Sequence, residues 1–220
     1  AKLCNNSGFE VIIHGRSKSN HLLKFSKELN SDYIYFDVRN NSEIKNAIKG
    51  ISSLDALVNS AGINISKPFE QLTSEDWNEI FSSNVFGMVN VIRNLLPQLR
   101  QSNNLARIVN LASMKGTYSA VGRIAYASSK AAVINLTHGL AKELSPNILV
   151  NCVSPGFTST DMTDKTMSKR IENQIDSILL KRIAQPKEIA EVILFLCSNK
   201  CTYMTGQNIL VDGGFSIKNV

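Results

Sequence analysis

The alternation of short apolar runs with helical stretches constrains the fold of this chain more than any other sequence feature. Six runs rich in β-branched residues recur along the chain, and stretches with helical periodicity separate them. Several runs are apolar at consecutive positions, as expected of strands buried on both faces. Strands that alternate with helices form βαβ units, so we expect a parallel sheet with helices on both sides. The predicted strands are Phe9–His14, Tyr33–Val38, Leu54–Asn59, Ala106–Ala112, Ile148–Val153 and Asn208–Val211.

The stretches between the strands predict the helices that cover the sheet. Thr73 and Asp76 have the spacing of a capping box, which places the start of a long helix at Ser74. Ser42 is the predicted N-cap of a shorter helix. A proline at an early position favours a helix start at Pro186. The predicted helices are Lys18–Leu29, Ser42–Lys49, Ser74–Leu99, Ala125–Leu144 and Pro186–Asn199.

We expect a single domain that spans residues 1–220. The chain shows no internal repeat and no linker rich in Pro, Gly or Ser, and 220 residues suffice for one buried core. The segment Thr158–Leu180 is poor in apolar residues. We therefore expect a long loop with one or two helices there, of the kind that often forms a lid over a site.

Charge and hydropathy argue against a nucleic-acid-binding protein and against a membrane-spanning protein. The 24 Lys and Arg residues outnumber the 18 Asp and Glu residues, which gives a net charge of +6. The basic residues are dispersed and have no aromatic residues interleaved, so we expect a solvated surface rather than a nucleic-acid binder. No apolar run is long enough to span a membrane, and the first ten residues lack a signal-peptide core.

The four cysteines and three histidines predict no metal site. Cys4, Cys152, Cys197 and Cys201 contain no CxxC pair, and the histidines lie far apart in the sequence. We therefore expect buried or unused thiols, a reducing compartment and a cytoplasmic location.

Tyr126, Lys130 and Ser113 form the strongest candidate for chemistry. Tyr126 and Lys130 are four residues apart in a helical stretch, so both point to one face. An ammonium beside a phenol stabilises phenolate, so we expect Lys130 to lower the pKa of Tyr126 and make it a general acid or base. Ser113 follows the strand Ala106–Ala112, which places its hydroxyl at the carboxyl edge of the sheet, where ligands bind.

With these residues the chain resembles the short-chain dehydrogenase/reductase family over nearly its whole length. Five motifs carry the likeness, in the family's order and at its separations. They are Asn59-Ser60-Ala61-Gly62; Asn84 within Ser83–Gly87; Ser113 with Tyr126-Ala127-Ser128-Ser129-Lys130; Pro155-Gly156-Phe157; and Thr205-Gly206 with Val211-Asp212-Gly213-Gly214. Within the family, the sequence segments of this chain are most similar to those of 3-oxoacyl-acyl carrier protein reductases.

The resemblance implies a Rossmann-like, doubly wound α/β fold with a parallel sheet in the strand order 3-2-1-4-5-6-7. The family's first strand and its Gly-rich TGxxxGxG turn would precede the helix that Ala1–Ser7 ends, and this sequence lacks both. We therefore expect a fragment of a longer reading frame, whose sheet lacks its central strand. No pyrophosphate-binding residue is predicted.

The resemblance also implies a role for each catalytic residue. Tyr126 would protonate a carbonyl oxygen as hydride arrives from the nicotinamide. Lys130 would tune Tyr126 and bond the ribose hydroxyls, and Ser113 would orient the carbonyl. Asn84 would hold a water that links Lys130 to solvent. The alternative for Asn84 is a helix residue that bonds neighbouring backbone.

Arg16 suggests that the cofactor is NADP(H). It ends the first predicted strand, where an arginine suits a 2′-phosphate and an acidic residue would suit a 2′-hydroxyl. Asp37 and Val38 end the next strand, where the family contacts adenine. Arg16 as a solvated side chain and Asp37 as a turn residue are the alternatives. The other cofactor-binding residues that the resemblance implies are Asn59, Ala61, Gly62, Tyr126, Lys130, Pro155, Gly156 and Thr158.

The implied function is NADPH-dependent reduction of a small-molecule or acyl carrier-bound 3-oxoacyl thioester by a homotetramer. The helical regions Ser74–Leu99 and Ala125–Leu144 would form one interface, and Gly206–Val220 a second. Where those reductases present basic residues to the carrier protein, this chain has Asn103-Asn104 and Ser145-Pro146-Asn147, with Arg107 and Arg123 nearby. A reductase of a sugar or small ketone and a catalytically silent nucleotide-binding protein are the alternatives.

Overall fold

The strands among the described residues are all parallel and lie in two sheets. The computed structural model describes residues 1–160 and 174–218. The first sheet pairs β1 with β2, and the second has the order β3-β4-β5-β6. The strands are β1 (Ile12–Gly15), β2 (Asp32–Tyr35), β3 (Ala56–Asn59), β4 (Ala106–Leu111), β5 (Ile148–Pro155) and β6 (Asn208–Val211).

Helices alternate with the strands, which confirms the predicted α/β fold. The helices of the described residues are α1 (Lys2–Asn6), α2 (Asn20–Leu29), α3 (Asn41–Ala47), α4 (Ser74–Phe81), α5 (Gly87–Arg100), α6 (Ile124–Leu144), α7 (Pro186–Cys197) and α8 (Phe215–Lys218). None of the helices within residues 1–160 and 174–218 is long and apolar enough to cross a bilayer.

The larger sheet is buried on both faces, as the consecutive apolar residues of its strands predict. Along β4, Ile108 contributes to the core shared with α5 and α6, whereas Val109 contributes to the core shared with α7. Both side chains are at most 1% exposed. Alternate side chains of one strand therefore anchor helices on opposite faces, which fixes the carboxyl edge of the sheet between them.

No hydrogen-bonded strand pairing joins β1 to β3 in the part of the chain that the structure describes. The two sheets are instead connected through side chains, because Phe36, which follows β2, and Ile44 of α3 pack in one cluster with Val91 and Leu95 of α5. An interrupted sheet is expected from the sequence, and the interruption lies between β1 and β3.

The predicted helical region Ser74–Leu99 is confirmed, and a π-helical turn divides it into α4 and α5. The capping box at its start is confirmed, since the amide of Asp76 donates to Thr73 Oγ1 at 3.2 Å and the amide of Thr73 donates to Asp76 Oδ2 at 3.0 Å. The helix then passes through a π-helical turn at Ser82–Phe86 before it continues as α5. Such turns accommodate one additional residue and are frequent at functional sites.

The prediction of Ser42 as the N-cap of α3 is wrong. Asn40 caps α3, because its Oδ1 accepts hydrogen bonds from the amides of Ser42 and Glu43 at 3.1 and 3.3 Å. The Asn40 amide group donates in turn to Glu43 Oε1 at 2.7 Å. These reciprocal bonds favour a start two residues earlier than predicted.

Residues 161–173 of the expected lid Thr158–Leu180 lie outside the described residues. At one described end, Thr158 forms a parallel bridge with Ala184. At the other end Ile178 is only 2% exposed, and the amide of Leu180 donates to the carbonyl of Gly213 at 3.1 Å. Both ends are thus attached to the body of the protein.

Candidate active site

A cavity of about 590 Å³ opens where β3, β4 and β5 end. Parallel strands bring their carboxyl ends to one edge, and open α/β sheets bind ligands there. The predicted site residues that line it are Gly62, Ser113, Tyr126, Lys130, Pro155, Gly156 and Thr158. The other predicted residues do not line this cavity. Asn59 ends β3, Ala61 follows β3, and Asn84 lies between α4 and α5. Arg16 follows β1, and Asp37 and Val38 follow β2.

Ser113 and Tyr126 lie together at the wall of this cavity. Ser113 is 7% exposed and has an extended backbone, and its Oγ also accepts from the amide of Lys115 at 3.2 Å. Burial raises the pKa of Tyr126, while the hydrogen bond with Ser113 and the positive charge of Arg123 act in the opposite direction. The Tyr126 hydroxyl is therefore held in its protonated, donor form at neutral pH.

Lys130 lies beneath Tyr126 and is almost completely buried. Its Nζ donates to the carbonyl oxygen of Leu111 at 2.7 Å and lies 5.8 Å from the centroid of the Tyr126 ring. Burial lowers the pKa of Lys130 to about 8. The expectation that this ammonium lowers the pKa of Tyr126 is wrong, because burial dominates and the opposing groups are Ser113 and Arg123.

Asn84 connects the loop after β3 to α6. It sits in the π-helical turn with no exposed surface. Its Oδ1 accepts from the amide of Ile63 at 2.8 Å, and its Nδ2 donates to the Ile63 carbonyl at 3.0 Å and to Ser129 Oγ at 3.0 Å. Ser129 donates to the carbonyl of Tyr126 at 2.7 Å. Asn84 thus positions the Tyr126 turn, and the sequence analysis missed Ser129, which lies inside the motif.

Asn59 belongs to a buried chain of hydrogen bonds under the site. Its Nδ2 donates to Asn110 Oδ1 at 2.9 Å, and Asn110 Nδ2 donates to Thr137 Oγ1 at 2.9 Å. Thr137 donates onward to the carbonyl of Val133 at 2.9 Å. The side chain of Asn59 therefore ties β3 to β4 and α6. Asn110 and Thr137 were not predicted, since neither belongs to a recognisable motif.

Two guanidinium groups flank one carboxylate where β1 and β2 end. Arg39 donates to Asp37 through Nε at 2.9 Å and Nη2 at 2.6 Å, and Arg16 Nε lies 3.2 Å from Asp37 Oδ2. The Arg39 hydrogen bond, and after it the charges of Arg39 and Arg16, hold the pKa of Asp37 well below its usual range. The Arg16 side chain is 74% exposed. Arg39 was missed because it lies one residue past the predicted adenine contact Asp37-Val38.

The predicted Val38 and Ala61 occupy loops rather than the cavity wall. The carbonyl of Val38 accepts from Asn90 Nδ2 at 3.3 Å, which attaches the loop after β2 to α5. Ala61 is exposed in the loop after β3. At Gly62, the next residue, an added Cβ would lie 3.1 Å from Asn84 Oδ1 and 3.6 Å from Lys130 Nζ.

The turn after β5 requires a glycine for steric reasons. A Cβ at Gly156 would lie 2.6 Å from the Cα of Asp212, closer than any real contact. The Gly156 amide donates to the Val211 carbonyl at 2.8 Å, and Thr158 Oγ1 donates to the Gly156 carbonyl at 3.2 Å. The close approach of the two backbones shapes this wall of the cavity.

The donor set fits a nicotinamide nucleotide better than a metal. No group of three or more His, Cys, Asp or Glu residues suited to a metal ion occurs within the described ranges. The buried ammonium of Lys130 and the hydroxyl of Thr158 suit ribose hydroxyls, and glycine at position 62 keeps the approach to Lys130 open. The exposed guanidinium of Arg16 suits a phosphate.

Comparisons with known proteins agree with this geometry. A family profile described as "Enoyl-(Acyl carrier protein) reductase" matches residues 1–216. A 3-oxoacyl-(acyl-carrier-protein) reductase of Thermotoga maritima is 38% identical over 219 residues, which cover 96% of this chain and 89% of that protein. The corresponding reductase of Aquifex aeolicus is 42% identical over 174 residues, which cover 78% of this chain and 68% of that protein.

A solved structure shows the same fold. The crystal structure of a short-chain dehydrogenase/reductase named glucose/ribitol dehydrogenase from Brucella melitensis has a TM-score of 0.91 and 32% sequence identity. The match covers 97% of this chain and 89% of that one.

Proposed function

This chain belongs to the short-chain dehydrogenase/reductase family, and we propose that it reduces the ketone of 3-oxoacyl thioesters to an alcohol with NADPH. It is an oxidoreductase that uses a nicotinamide nucleotide. The single observation that carries the proposal is that Ser113, Tyr126 and the buried Lys130 line one wall of a cavity on the carboxyl edge of the sheet.

The cofactor would lie along this edge of the two sheets. Lys130 would hold its ribose hydroxyls, and Pro155, Gly156 and Thr158 would line the nicotinamide side of the cavity. Arg16 supports the choice of NADPH, since its guanidinium suits a 2′-phosphate. When bound, the reduced nicotinamide supplies a hydride to the substrate carbon.

Asn59, Ala61 and Gly62 would border the cofactor along the loop after β3. Asp37 and Val38 would lie beside the adenine. Arg39 would assist Arg16, because both guanidinium groups already converge on Asp37.

Ser113 and Tyr126 would position the carbonyl oxygen of the substrate and supply its proton. Ser113 would donate a hydrogen bond to the carbonyl oxygen and fix its direction. Tyr126 would transfer its proton to that oxygen as negative charge develops there, which completes the alcohol. The raised pKa of Tyr126 keeps this proton on the hydroxyl until the charge appears. A proton from solvent then restores the tyrosine, so that ketone, NADPH and one proton give alcohol and NADP⁺.

Lys130 and Asn84 would act through Tyr126, without contacting the carbonyl themselves. With its pKa lowered to about 8, Lys130 gives up or takes a proton readily near neutral pH, which suits a group that returns a proton to Tyr126. Asn84 would anchor this relay, since its amide joins Ile63 to Ser129.

The similarity to two reductases of 3-oxoacyl thioesters supports the substrate class. The positions where a carrier protein would bind add no support. Arg107 is only 4% exposed, and it donates to the carbonyl groups of Leu105 and Cys201. This arginine therefore belongs to the core rather than to a docking surface.

A substrate panel tests the proposal. We expect NADPH oxidation with acetoacetyl-coenzyme A to exceed that with ribitol-derived ketoses or acetone by at least ~100-fold in kcat/KM, because thioester contacts add to ketone contacts in the transition state. Preference for a sugar would favour the function named for the Brucella relative. NADPH binding without turnover of any carbonyl would identify a silent nucleotide-binding protein.

A further inference from the structure

Asn64 holds a hydrogen-bond acceptor at the cavity wall that no described residue satisfies. It follows Gly62 by two residues in the loop after β3, and it lines the same cavity as Ser113 and Tyr126. Its Oδ1 atom is buried, yet no donor within residues 1–160 and 174–218 hydrogen-bonds to it. A buried amide oxygen without a donor costs free energy, and native proteins contain few of them.

The position of this atom distinguishes it from the other buried polar atoms that lack a partner. Among the described residues, those atoms belong to Ser31, Gln98 and Arg107, and none of these residues lines the cavity. The acceptor of Asn64 is therefore the one that a ligand in the cavity could satisfy.

The loop around Asn64 is held in place on both sides. Asn84 accepts from the amide of Ile63 at 2.8 Å and donates to the carbonyl of Ile63 at 3.0 Å. On the other side, Ser66 Oγ donates to the carbonyl of Gly122 at 3.2 Å. A ligand that binds an acceptor fixed in this way loses little free energy to the ordering of the protein.

The bond from Ser66 connects this loop to the wall that carries the proposed proton donor. Gly122 belongs to the loop before α6, which contributes Ala120 to the cavity lining and leads into the helix with Tyr126. The nicotinamide would instead lie along the turn after β5. This connection favours the substrate over the cofactor as the ligand of Asn64.

The charge of the cavity lining favours an uncharged donor. No Asp or Glu among the described residues lines the cavity, whereas the buried Lys130 does. A cationic group of a ligand would lack a counter-charge there and would meet a like charge. The amide oxygen of Asn64 pairs with a neutral N–H or O–H group without either penalty.

We propose that Asn64 determines substrate specificity by accepting a hydrogen bond from an uncharged N–H or O–H group that the substrate carries beside its ketone. The proposal rests on the proposed carbonyl reduction at Ser113 and Tyr126. In a 3-oxoacyl thioester, the donor is the amide N–H of the cysteamine arm that carries the acyl group. In a ketose, the donor is a hydroxyl next to the ketone.

Two thioesters of acetoacetate provide the direct test. S-acetoacetyl-N-acetylcysteamine and the S-ethyl thioester carry the same ketone and the same thioester, and only the first has an amide donor. We expect Asn64→Leu to lower kcat/KM at least ~5-fold for the first and less than ~2-fold for the second, the effect of one lost hydrogen bond. The ratio of the two values removes any shared effect on Ser113 or Tyr126.

Three variants keep this test interpretable. Asn64→Asp retains an acceptor oxygen and should retain the preference for the amide. Asn64→Ala removes the acceptor without adding bulk and should repeat the loss, even if Asn64→Leu fails to fold. Asn199→Leu, at an exposed position after α7, is the control and should behave as wild type.

The stability of the free protein separates a binding role from a structural one. Because Asn64→Leu removes a buried acceptor that lacks a partner, the thermal midpoint should stay or rise while the preference for the amide is lost. A lower midpoint with equal changes for both thioesters would make Asn64 a structural residue and overturn the proposal.

Hydroxyacetone and acetone separate the two sources of the donor. If Asn64→Leu lowers kcat/KM for hydroxyacetone but not for acetone, and leaves the ratio of the thioesters unchanged, the donor is a hydroxyl and the substrate is a hydroxy ketone. Unchanged ratios for both pairs overturn the proposal.

A binding measurement keeps the inference distinct from the proposed function. Calorimetry with the NADP⁺-loaded protein should show at least ~5-fold weaker binding of acetyl-coenzyme A or of ribitol to Asn64→Leu, since neither needs to react. If wild type reduces no carbonyl, the proposed function fails while this titration still decides the role of Asn64. Unchanged affinity for both ligands, or weaker binding of NADPH itself, would refute that role.

Discussion

At the scale of single residues, burial is the main influence on the candidate catalytic pair. It raises the pKa of Tyr126 and lowers that of Lys130 to about 8. Both shifts favour neutral side chains, so the pair is poised to exchange a proton rather than to hold a fixed charge. The sequence analysis found both residues, but their protonation depends on packing by β4, β5 and α6, which no local pattern encodes.

The buried ammonium of Lys130 should appear in the pH dependence of stability. Its pKa is about 8 in the folded protein and near ~10.4 in the unfolded chain, so the unfolded state binds more protons between these values. The penalty for burying the charged form is fully present below pH ~8 and is relieved as the pH rises. Relative to Lys130→Met, the free energy of unfolding should increase by ~2 kcal/mol between pH 7.5 and 10.

Urea titrations of the two proteins across that range measure this difference. Lys130→Met retains Cys152, whose pKa burial raises to about 11, so most of that thiol's titration is common to both proteins. Parallel curves for the two proteins would contradict a buried, protonated lysine.

Arg16 should determine the choice between the two nicotinamide nucleotides. Arg16→Asp replaces a cation with a carboxylate beside Asp37, so a 2′-phosphate would meet two like charges. We expect the ratio of kcat/KM for NADPH over NADH to fall at least ~10-fold. Dissociation constants of both nucleotides, with Lys18→Asp as the control at a nearby exposed site, check the change. An unaltered ratio would make Arg16 a solvated side chain.

At the scale of elements, each of the six predicted strands corresponds to an observed strand. The runs that became β4 and β5 are recognisable because both of their faces are buried. The break at Ser82–Phe86 was not predictable from periodicity, because it accompanies tertiary bonds between Asn84 and the backbone of Ile63. Because these bonds are tertiary, no local pattern identifies Asn84, and only its motif indicates it.

Close packing of the Met114–Gly116 turn on α6 should be necessary for stability. A Cβ at Gly116 would lie 2.7 Å from the backbone carbon of Lys130. Gly116→Ala therefore forces the turn away from α6, and we expect a loss of ~1–3 kcal/mol in the free energy of unfolding. Activity should fall as well, because the turn follows Ser113.

Gly139→Ala is the matched control within α6. Nothing lies within 4 Å of a Cβ at Gly139, so alanine should stabilise the helix by ~0.5–1 kcal/mol. Thermal and denaturant unfolding of both variants measure the contrast. Equal effects of the two substitutions would show that the Gly116 contact is not tight.

At the scale of the whole molecule, we expect a homotetramer, but not all of the apolar residues that suggest it from the sequence are available to form an interface. Several apolar residues of Ser74–Leu99 that suggested an interface, such as Ile80 and Ile92, are buried within the subunit. Phe86 remains 59% exposed, and Ile217 near the end of the described chain is 71% exposed. Two separate apolar positions fit an assembly with two kinds of interface.

Light scattering at micromolar concentration measures the assembly. Wild type should be a tetramer, and Ile217→Glu should give dimers because it places a charge in one interface only. Lys200→Glu, an exposed charge reversal, is the control. A monomeric wild type would contradict the expectation.

Carbonyl reduction by this protein depends most on Tyr126 as the proton donor. Tyr126→Phe keeps the half-buried ring and removes the hydroxyl at the cavity wall. The most direct measurement is single-turnover oxidation of bound NADPH by acetoacetyl-coenzyme A, in wild type and in this variant. We expect the rate to fall ~100-fold or more while the affinity for NADPH stays within a factor of two. A rate within a few-fold of wild type would contradict the account.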